Sequence, residues 1–230
     1  MTDQELIKAA LAEDLAGGVD ITSQATIAAD ATATADFIAR TDGVIAGINI
    51  AHAVLAEVGL TDVTLAKKDG DRVKAGDLLI TVRGNTRAIL LAERTALNFF
   101  GHLSGIATLT SKWVAEVSGT KCQVRDTRKT TPGMRTIEKY AVRMGGGTNH
   151  RMNLSDAALI KDNHIAAAGG VVAAFAKVRA AYPEAEIEIE VDTLEQLKDV
   201  LAQKPDLVLL DNMSPEQCAH AVALVNGAFK

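Results

Sequence analysis

The chain has 230 residues and a mass of 24.2 kDa, with 48% hydrophobic and 23% charged residues, an ordinary globular composition with room for one large domain or two modest ones. Aromatics make up only 3%, too few to stack on single-stranded nucleic acid, and a net charge of −5 with a pI of about 5.6 speaks against a duplex-binding surface. No apolar run approaches the ~18 residues of a membrane span, and the acidic start Met1-Thr2-Asp3-Gln4-Glu5 lacks the layout of a signal peptide, so a cytoplasmic chain with no membrane partner is expected.

In chain order, Leu6 to Leu15 carries Leu6, Ile7, Ala10 and Leu11 at helical spacing. Residues 17–84 change character: strand-like runs at Ala35–Ala39 and Leu78–Val82 are punctuated by glycines, with a helical stretch from Ile50 to Val58 between them. Lys68-Asp69-Gly70-Asp71-Arg72-Val73-Lys74-Ala75-Gly76-Asp77 is a two-turn pattern resembling a segment of lipoyl and biotinyl carrier domains. It offers no Met-Lys-Met or Asp-Lys-Ala tripeptide for modification, which leaves a plain strand–turn–strand. Thr86 is placed to cap a long helix running to about Val117, broken or bent near Gly101 and Gly105. That helix is apolar almost all the way round, which predicts burial against another domain or subunit.

From Cys122 onward, strand candidates at Cys122–Arg125, Ala157–Ile160, Ile187–Val191 and Leu207–Leu210 alternate with helices, most clearly Gly170–Ala181 and Leu194–Gln203. Such alternation implies a parallel sheet, open or closed into a barrel. The strand Glu186–Asp192 puts Ile187, Ile189 and Val191 on one face and acids on the other. A parallel strand covered on both faces should be apolar on both, so the acidic face points to a barrel lumen opening on a polar site; an edge strand with its acids in water is the plain alternative. Cys122 and Cys218 are too few and too far apart for a disulfide framework or a zinc site and read as reduced packing residues.

The charge pattern is where chemistry shows. From Lys121 to Arg151 the chain carries eight Lys and Arg against two acids, and from Glu186 to Asp211 eight acids against two bases. A solvated basic face would explain the first run, but Arg offers a planar fork for carboxylate and Lys a mobile point charge for phosphate, which suits a small anionic substrate. Barrel enzymes build their sites at the carboxyl ends of strands. Arg128 and Lys129 follow the first strand candidate, Lys161 the second, Glu190 lies near the end of the third and Asp211 follows the fourth. Cations facing carboxylates suit a polyanion brought in with a divalent metal such as Mg²⁺. The glycine run Gly145-Gly146-Gly147, followed by Thr148-Asn149-His150-Arg151, could bring backbone N–H groups to an anion or simply turn the chain. His52 and His220 read as surface or packing residues, His102 as a satisfied core histidine, and His164 as a cap for the loop after Lys161.

In order along the chain, Glu93-Arg94-Thr95-Ala96-Leu97-Asn98, His102-Leu103-Ser104-Gly105-Ile106-Ala107-Thr108, Asp126-Thr127-Arg128-Lys129-Thr130-Thr131-Pro132-Gly133, Gly145–Arg151, Leu159–His164, Glu188–Asp192 and Leu209–Asn212 together resemble the quinolinate phosphoribosyltransferase (nicotinate-nucleotide pyrophosphorylase) family of NAD biosynthesis. The resemblance implies an α/β protein: an N-terminal α/β sandwich domain with a long interface helix over 1–112 and an incomplete, open α/β barrel over 113–230. It implies a homodimer in which Arg94 completes the neighbouring subunit's site. By the same resemblance Arg94, Arg128 and Arg151 hold the two carboxylates of quinolinate with His150 and Thr127 nearby. Lys129 and Lys161 meet the phosphate oxygens of phosphoribosyl pyrophosphate (PRPP), and Glu190 and Asp211 hold the ribose hydroxyls and Mg²⁺. Lys129, Lys161, Glu190 and Asp211 are thus the expected catalytic groups. The family pattern runs on past Lys230 with further strand–helix units, so part of the barrel and of the PRPP phosphate site is expected to be missing, with activity depending on what covers the gap. The rival readings are the molybdenum-operon paralogue of the same fold and a non-catalytic dicarboxylate-binding form.

Overall fold

The computed structural model describes residues 2–227; Met1 of the acidic N-terminus and Ala228, Phe229 and Lys230 at the other end lie outside the described residues. The chain forms two compact units, residues 1–150 and 151–230.

Unit 1 contains α1 (Asp3–Leu15), α2 (Ile21–Thr26), β1 (Thr32–Ile38), β2 (Gly43–Val44), α3 (Ile48–Glu57), β3 (Asp62–Leu65), β4 (Arg72–Val73), β5 (Leu78–Asn85), α4 (Thr86–Glu116) and α5 (Arg135–Met144). The antiparallel sheet runs β1-β5-β3, and β2 and β4 form a separate antiparallel pair. Ile80 and Val82 of β5 and Ala51 and Val54 of α3 are fully buried in the core shared with Ile7 of α1, Leu103 of α4 and Ala141 of α5. The two turns around β4 are fixed by aspartates: Asp71 accepts the Lys68 N–H at 3.0 Å and Asp77 the Lys74 N–H at 3.1 Å. That local chemistry accounts for the carrier-like pattern without any carrier function.

The long helix departs from its expected form in three ways. Its N-cap is Asn85, whose side chain accepts from Ala88 N at 3.1 Å, and Thr86 is the first helical residue. It runs unbroken through Gly101 and Gly105. Each glycine costs about 1 kcal/mol of helix propensity, which the buried row of Ala92, Ala96, Leu103 and Ala107 outweighs. Finally, within this chain the helix is buried on one side only: Leu109 and Trp113 are 59% and 61% exposed, and Leu90 and Leu97 are exposed as well. Ser104 and Thr108 hold α4 to the backbone of β2 and the residues after it: Thr108 Oγ1 accepts from Val44 N at 2.9 Å and Ser104 Oγ from Ala46 N at 3.1 Å. The hydroxyls of the His102–Thr108 phrase therefore hold the fold together.

Unit 2 contains β6 (Ala158–Ile160), α6 (Asp162–Ala168), α7 (Val171–Ala181), β7 (Ile187–Val191), α8 (Leu194–Leu201), β8 (Leu207–Leu210) and α9 (Pro215–Val225). Its strands are parallel in the order β6-β7-β8, the βαβ run of an incomplete α/β barrel. β7 is central and every residue in it is buried, which removes the edge-strand alternative. Ile187, Ile189 and Val191 join the core with Phe175 of α7 and Leu197 and Val200 of α8, while Glu188 and Glu190 occupy the opposite face.

One expected strand is absent. Among the described residues Cys122–Arg125 forms only a single parallel bridge, Arg125 to Thr148, and beyond it the Asp126 side chain, not its backbone, takes the His150 N–H. Cys122 is exposed, so it is not a packing residue; Cys218 is half-buried.

Candidate active site

The cation-rich segment of unit 1 is an irregular loop between the Arg125 bridge and α5. Thr127 Oγ1 accepts the Lys129 N–H at 3.0 Å, bending the backbone so that Arg128 and Lys129 stand side by side at the turn. Lys129 is exposed and Arg128 half-buried. Arg128 Nε is enclosed and has no hydrogen-bond partner, alone in that respect among the enclosed side-chain N and O atoms of the described residues. A buried guanidinium donor left open in this way is a cost to the fold that an incoming carboxylate would remove.

Beneath that loop lies a layer of buried charge. Lys139 of α5 is fully buried and pairs with Asp126, itself only 8% exposed. Lys139 Nζ donates to the His150 carbonyl at 2.7 Å, and Asp126 Oδ1 accepts the His150 N–H at 2.9 Å. Asn149 Nδ2 donates to Asp126 and, at 2.8 Å, to the Lys139 carbonyl. The neighbouring residue Glu138 accepts the Thr131 N–H at 3.1 Å and meets His102 Nε2 of α4 at 2.9 Å. Burial raises the Glu138 carboxyl, but its bonds from Thr131 and His102 outweigh burial and hold it below its usual range. Tyr140, next again, donates to Asp69 at 2.8 Å; burial and then Asp69 push its phenol up to about 12.

This layer decides two readings the sequence left open and corrects one, the core placement of His102. Of the eight cations between Lys121 and Arg151, Lys139 does not face a ligand but neutralises Asp126. His102 is satisfied but not in the core, its side chain being 42% exposed. The glycine run cradles no anion: the N–H groups of Gly145, Gly146 and Gly147 donate to Ala141, Arg143 and Val142 carbonyls at the end of α5. Its glycines are needed for space, since a Cβ on Gly145 would stand 2.4 Å from the Ala107 carbonyl oxygen of α4.

Unit 2 supplies a second cluster at the carboxyl ends of its strands. Lys161 directly follows β6, Glu190 is next to last in β7, and Asp211 directly follows β8. Lys161 Nζ lies 3.3 Å from Glu190 Oε2. Burial first, and the adjacent Asp211 carboxyl second, raise the Glu190 carboxyl above its usual value, with Lys161 opposing. Asn212, in the left-handed region at φ 53°, donates to Asp211 Oδ2 at 3.0 Å. His164 Nδ1 accepts the Lys161 N–H at 3.0 Å, the capping role expected of it. A buried carboxylate beside a second carboxylate and one ammonium suits ribose hydroxyls and a divalent cation whose other ligands come from substrate and water. Among the described residues no group of three or more His, Cys, Asp or Glu forms a protein-only metal site.

The structure thus gathers Thr127, Arg128, Lys129 and His150 in unit 1, and Lys161, Glu190 and Asp211 in unit 2. Arg94 stands exposed on α4, its side chain making no hydrogen bond or ion pair among the described residues. Arg151 donates to the Ala157 carbonyl at 2.9 Å and lines a cavity of about 690 Å³ in unit 2 with Leu159, His164 and Lys177. The sequence reading missed Asp126, Glu138, Lys139 and Asn149. Their one signal is that Asp126 and Glu138 are the only acids in the basic run.

Comparison with known proteins adds identity to this geometry. Residues 20–104 match the family model described as "Quinolinate phosphoribosyl transferase, N-terminal domain", and residues 106–230 match the corresponding C-terminal domain. A nicotinate-nucleotide pyrophosphorylase [carboxylating] of Mycobacterium leprae is 52% identical over 222 residues, spanning 95% of this chain and 78% of that protein. The crystal structure of NadC from Streptococcus pyogenes superposes with a TM-score of 0.92 at 42% identity, covering 98% of this chain and 80% of the other. A nicotinate-nucleotide pyrophosphorylase from Ehrlichia chaffeensis superposes with a TM-score of 0.95 at 39% identity, covering 100% and 84%.

Proposed function

The chain belongs to the quinolinate phosphoribosyl transferase family, and on that premise we propose that it transfers phosphoribosyl from PRPP to quinolinate, releasing pyrophosphate and CO₂ and giving nicotinate mononucleotide. The observation that carries this reading is the enclosed, partnerless Nε of Arg128 in a cation-bearing loop. A dicarboxylate is the ligand that such a guanidinium, with His150, Arg151 and a neighbour's Arg94, is equipped to take. Lys129 and Lys161 would meet the phosphate oxygens of the donor.

The pyridine nitrogen lone pair forms the new bond to the anomeric carbon as the carbon–oxygen bond to pyrophosphate breaks, its electrons leaving with pyrophosphate. The 2-carboxylate then leaves as CO₂. Its bonding electrons stay on the ring carbon beside the cationic nitrogen and form a C–H bond with a proton from water. Neither step asks for a strong general base, so the residues contribute position and fixed charge, where one well-aimed group supplies roughly 3–4 kcal/mol. Glu190 and Asp211 would hold the ribose hydroxyls together with Mg²⁺, which supplies charge neutralisation to the leaving pyrophosphate. Two carboxylate sites also give specificity, because nicotinate would leave one cation unpaired.

A homodimer is part of this proposal. Arg94 stands between the exposed Leu90 and Leu97 on one face of α4, with Leu109 and Trp113 exposed further along. An apolar face of that kind carrying one arginine suits a second copy of the chain, into whose site Arg94 would reach. The cytoplasm is the proposed location; among the described residues no single helix is long and apolar enough to cross a membrane. The test is calorimetric titration of quinolinate, with nicotinate as control, followed by PRPP and Mg²⁺ with detection of the mononucleotide. Binding of quinolinate but not nicotinate, then product, is expected; equal binding of both acids would refute the dicarboxylate pocket.

A further inference from the structure

We propose that helix α5 is a splint for the substrate loop, and that adjacent Glu138 and Lys139 are positioning residues for quinolinate binding. The inference rests on the reading above that Arg128 receives the dicarboxylate.

The loop from Asp126 to Thr131 has no regular structure, yet it carries Arg128 and Lys129 between its ends. Both ends are held by consecutive residues of one helix. Lys139 takes the Asp126 end, and Glu138 takes the Thr131 N–H at 3.1 Å. Arg135, one turn earlier, donates from Nε to Thr130 Oγ1 at 3.2 Å. The Asp126–Lys139 pair also binds both backbone groups of His150, so two segments distant in sequence meet at a single ion pair. Tyr140 then ties α5 to Asp69, and Ile137 and Ala141 seat it in the core of unit 1.

A buried cation and a buried anion on successive residues of one helix are costly features that a fold retains only when each is paired. Here Asp126 neutralises Lys139 at one end of the loop, while Glu138 takes the Thr131 N–H at the other end and meets His102 of α4. The consequence is a guanidinium held in place before its ligand arrives, which spares binding the cost of ordering it. Arg128 needs this more than Lys129 does. A planar fork tolerates little misplacement, whereas an ammonium on a flexible stem follows its phosphate.

The test uses the full chain and measures quinolinate and PRPP–Mg²⁺ affinities by calorimetry beside thermal unfolding. Removing one member of the ion pair alone would strand a buried charge and could unfold the protein, so the informative variants are Glu138→Leu, Glu138→Gln and the neutral double variant Asp126→Asn with Lys139→Met. Glu138→Leu and the double variant, still folded, should lose quinolinate affinity by roughly tenfold or more while PRPP affinity falls by less than about threefold. Glu138→Gln, whose amide oxygen can still accept the Thr131 N–H, should retain quinolinate binding. Wild-type affinity in folded Glu138→Leu and in the double variant overturns the proposal. So do equal losses for both ligands, which would mean general loosening, and so does a Gln variant as poor as the Leu variant. A wild-type chain that binds no quinolinate removes the functional reading itself and this proposal with it.

Discussion

Arg128→Ala should separate binding from folding, because the side chain gives the native state almost nothing while it waits for a ligand. Its Nε is enclosed with no partner, so truncation breaks no internal bond at that atom and relieves a desolvated donor. Stability should therefore hold within about 1 kcal/mol of wild type, or rise slightly. Binding should respond differently. A guanidinium forking onto one carboxylate makes two charge-assisted hydrogen bonds at about 1.5–3 kcal/mol each. Allowing for partial compensation by water, the loss is roughly 3–4 kcal/mol, or about 140- to 700-fold in affinity at 1.4 kcal/mol per decade. Calorimetry with quinolinate and urea unfolding on the same preparation give both numbers. Quinolinate affinity within about threefold of wild type would take Arg128 out of the site. Affinity lost only in step with stability would show the residue to be structural, against the absence of any partner for Nε.

Three further outcomes follow from the same geometry. Mixing Arg94→Ala subunits with Lys161→Ala subunits should restore part of the activity, to at most about a quarter of wild type if each mixed dimer keeps one intact site and subunits pair at random; verified mixed dimers without activity would sink the shared site. Glu190→Gln should abolish turnover yet stabilise the ligand-free chain. The folded Glu190 carboxyl lies above its ordinary value of 4.5, so its stabilising contribution is full below that value and is lost as pH rises through the folded one. The Gln variant should thus gain stability near pH 7 and little or none near pH 4; an equal gain at both pH values in thermal denaturation would contradict the cause given. Gly145→Ala should cost about 1–3 kcal/mol or more, since the new Cβ meets backbone of α4 at 2.4 Å that cannot swing aside; a urea midpoint unchanged from wild type would refute that packing account.

Much of this was legible because the physical signal was local. The alternation in Ile187–Val191 marked a strand with an apolar and an acidic face, and the structure seats it centrally with both faces buried. The strand-end residues Lys161, Glu190 and Asp211 stood out because βα units deliver such positions to one end of a sheet. Cys122–Arg125 misled because its composition suits a strand, whereas a strand also needs neighbours, and only one rung is available there. Gly101 and Gly105 misled in the opposite direction, since propensity is a weak prior that a long buried face overrides. Gly145–Gly147 had two readings in the sequence, and only the position of α4 decides between them.

The deeper reason the site was half-legible lies in how fixed-charge catalysis is built. Lys129 and Lys139 look alike in the sequence, ten residues apart in one basic run, yet one is exposed and the other has no solvent contact at all. Residue type distinguishes neither; burial does, and burial depends on a partner 13 residues away through irregular backbone that no periodicity encodes. A reaction that needs little proton transfer places its demands on position, so the charges that touch substrate must be held by charges that never do. In this chain Asp126 and Glu138, the two acids that seemed to interrupt a cationic patch, are the groups through which α5 holds Arg128 and His150 in place. An acid inside a basic run therefore marks where the loop is anchored, and the pattern should recur wherever an irregular segment must present cations in a fixed order.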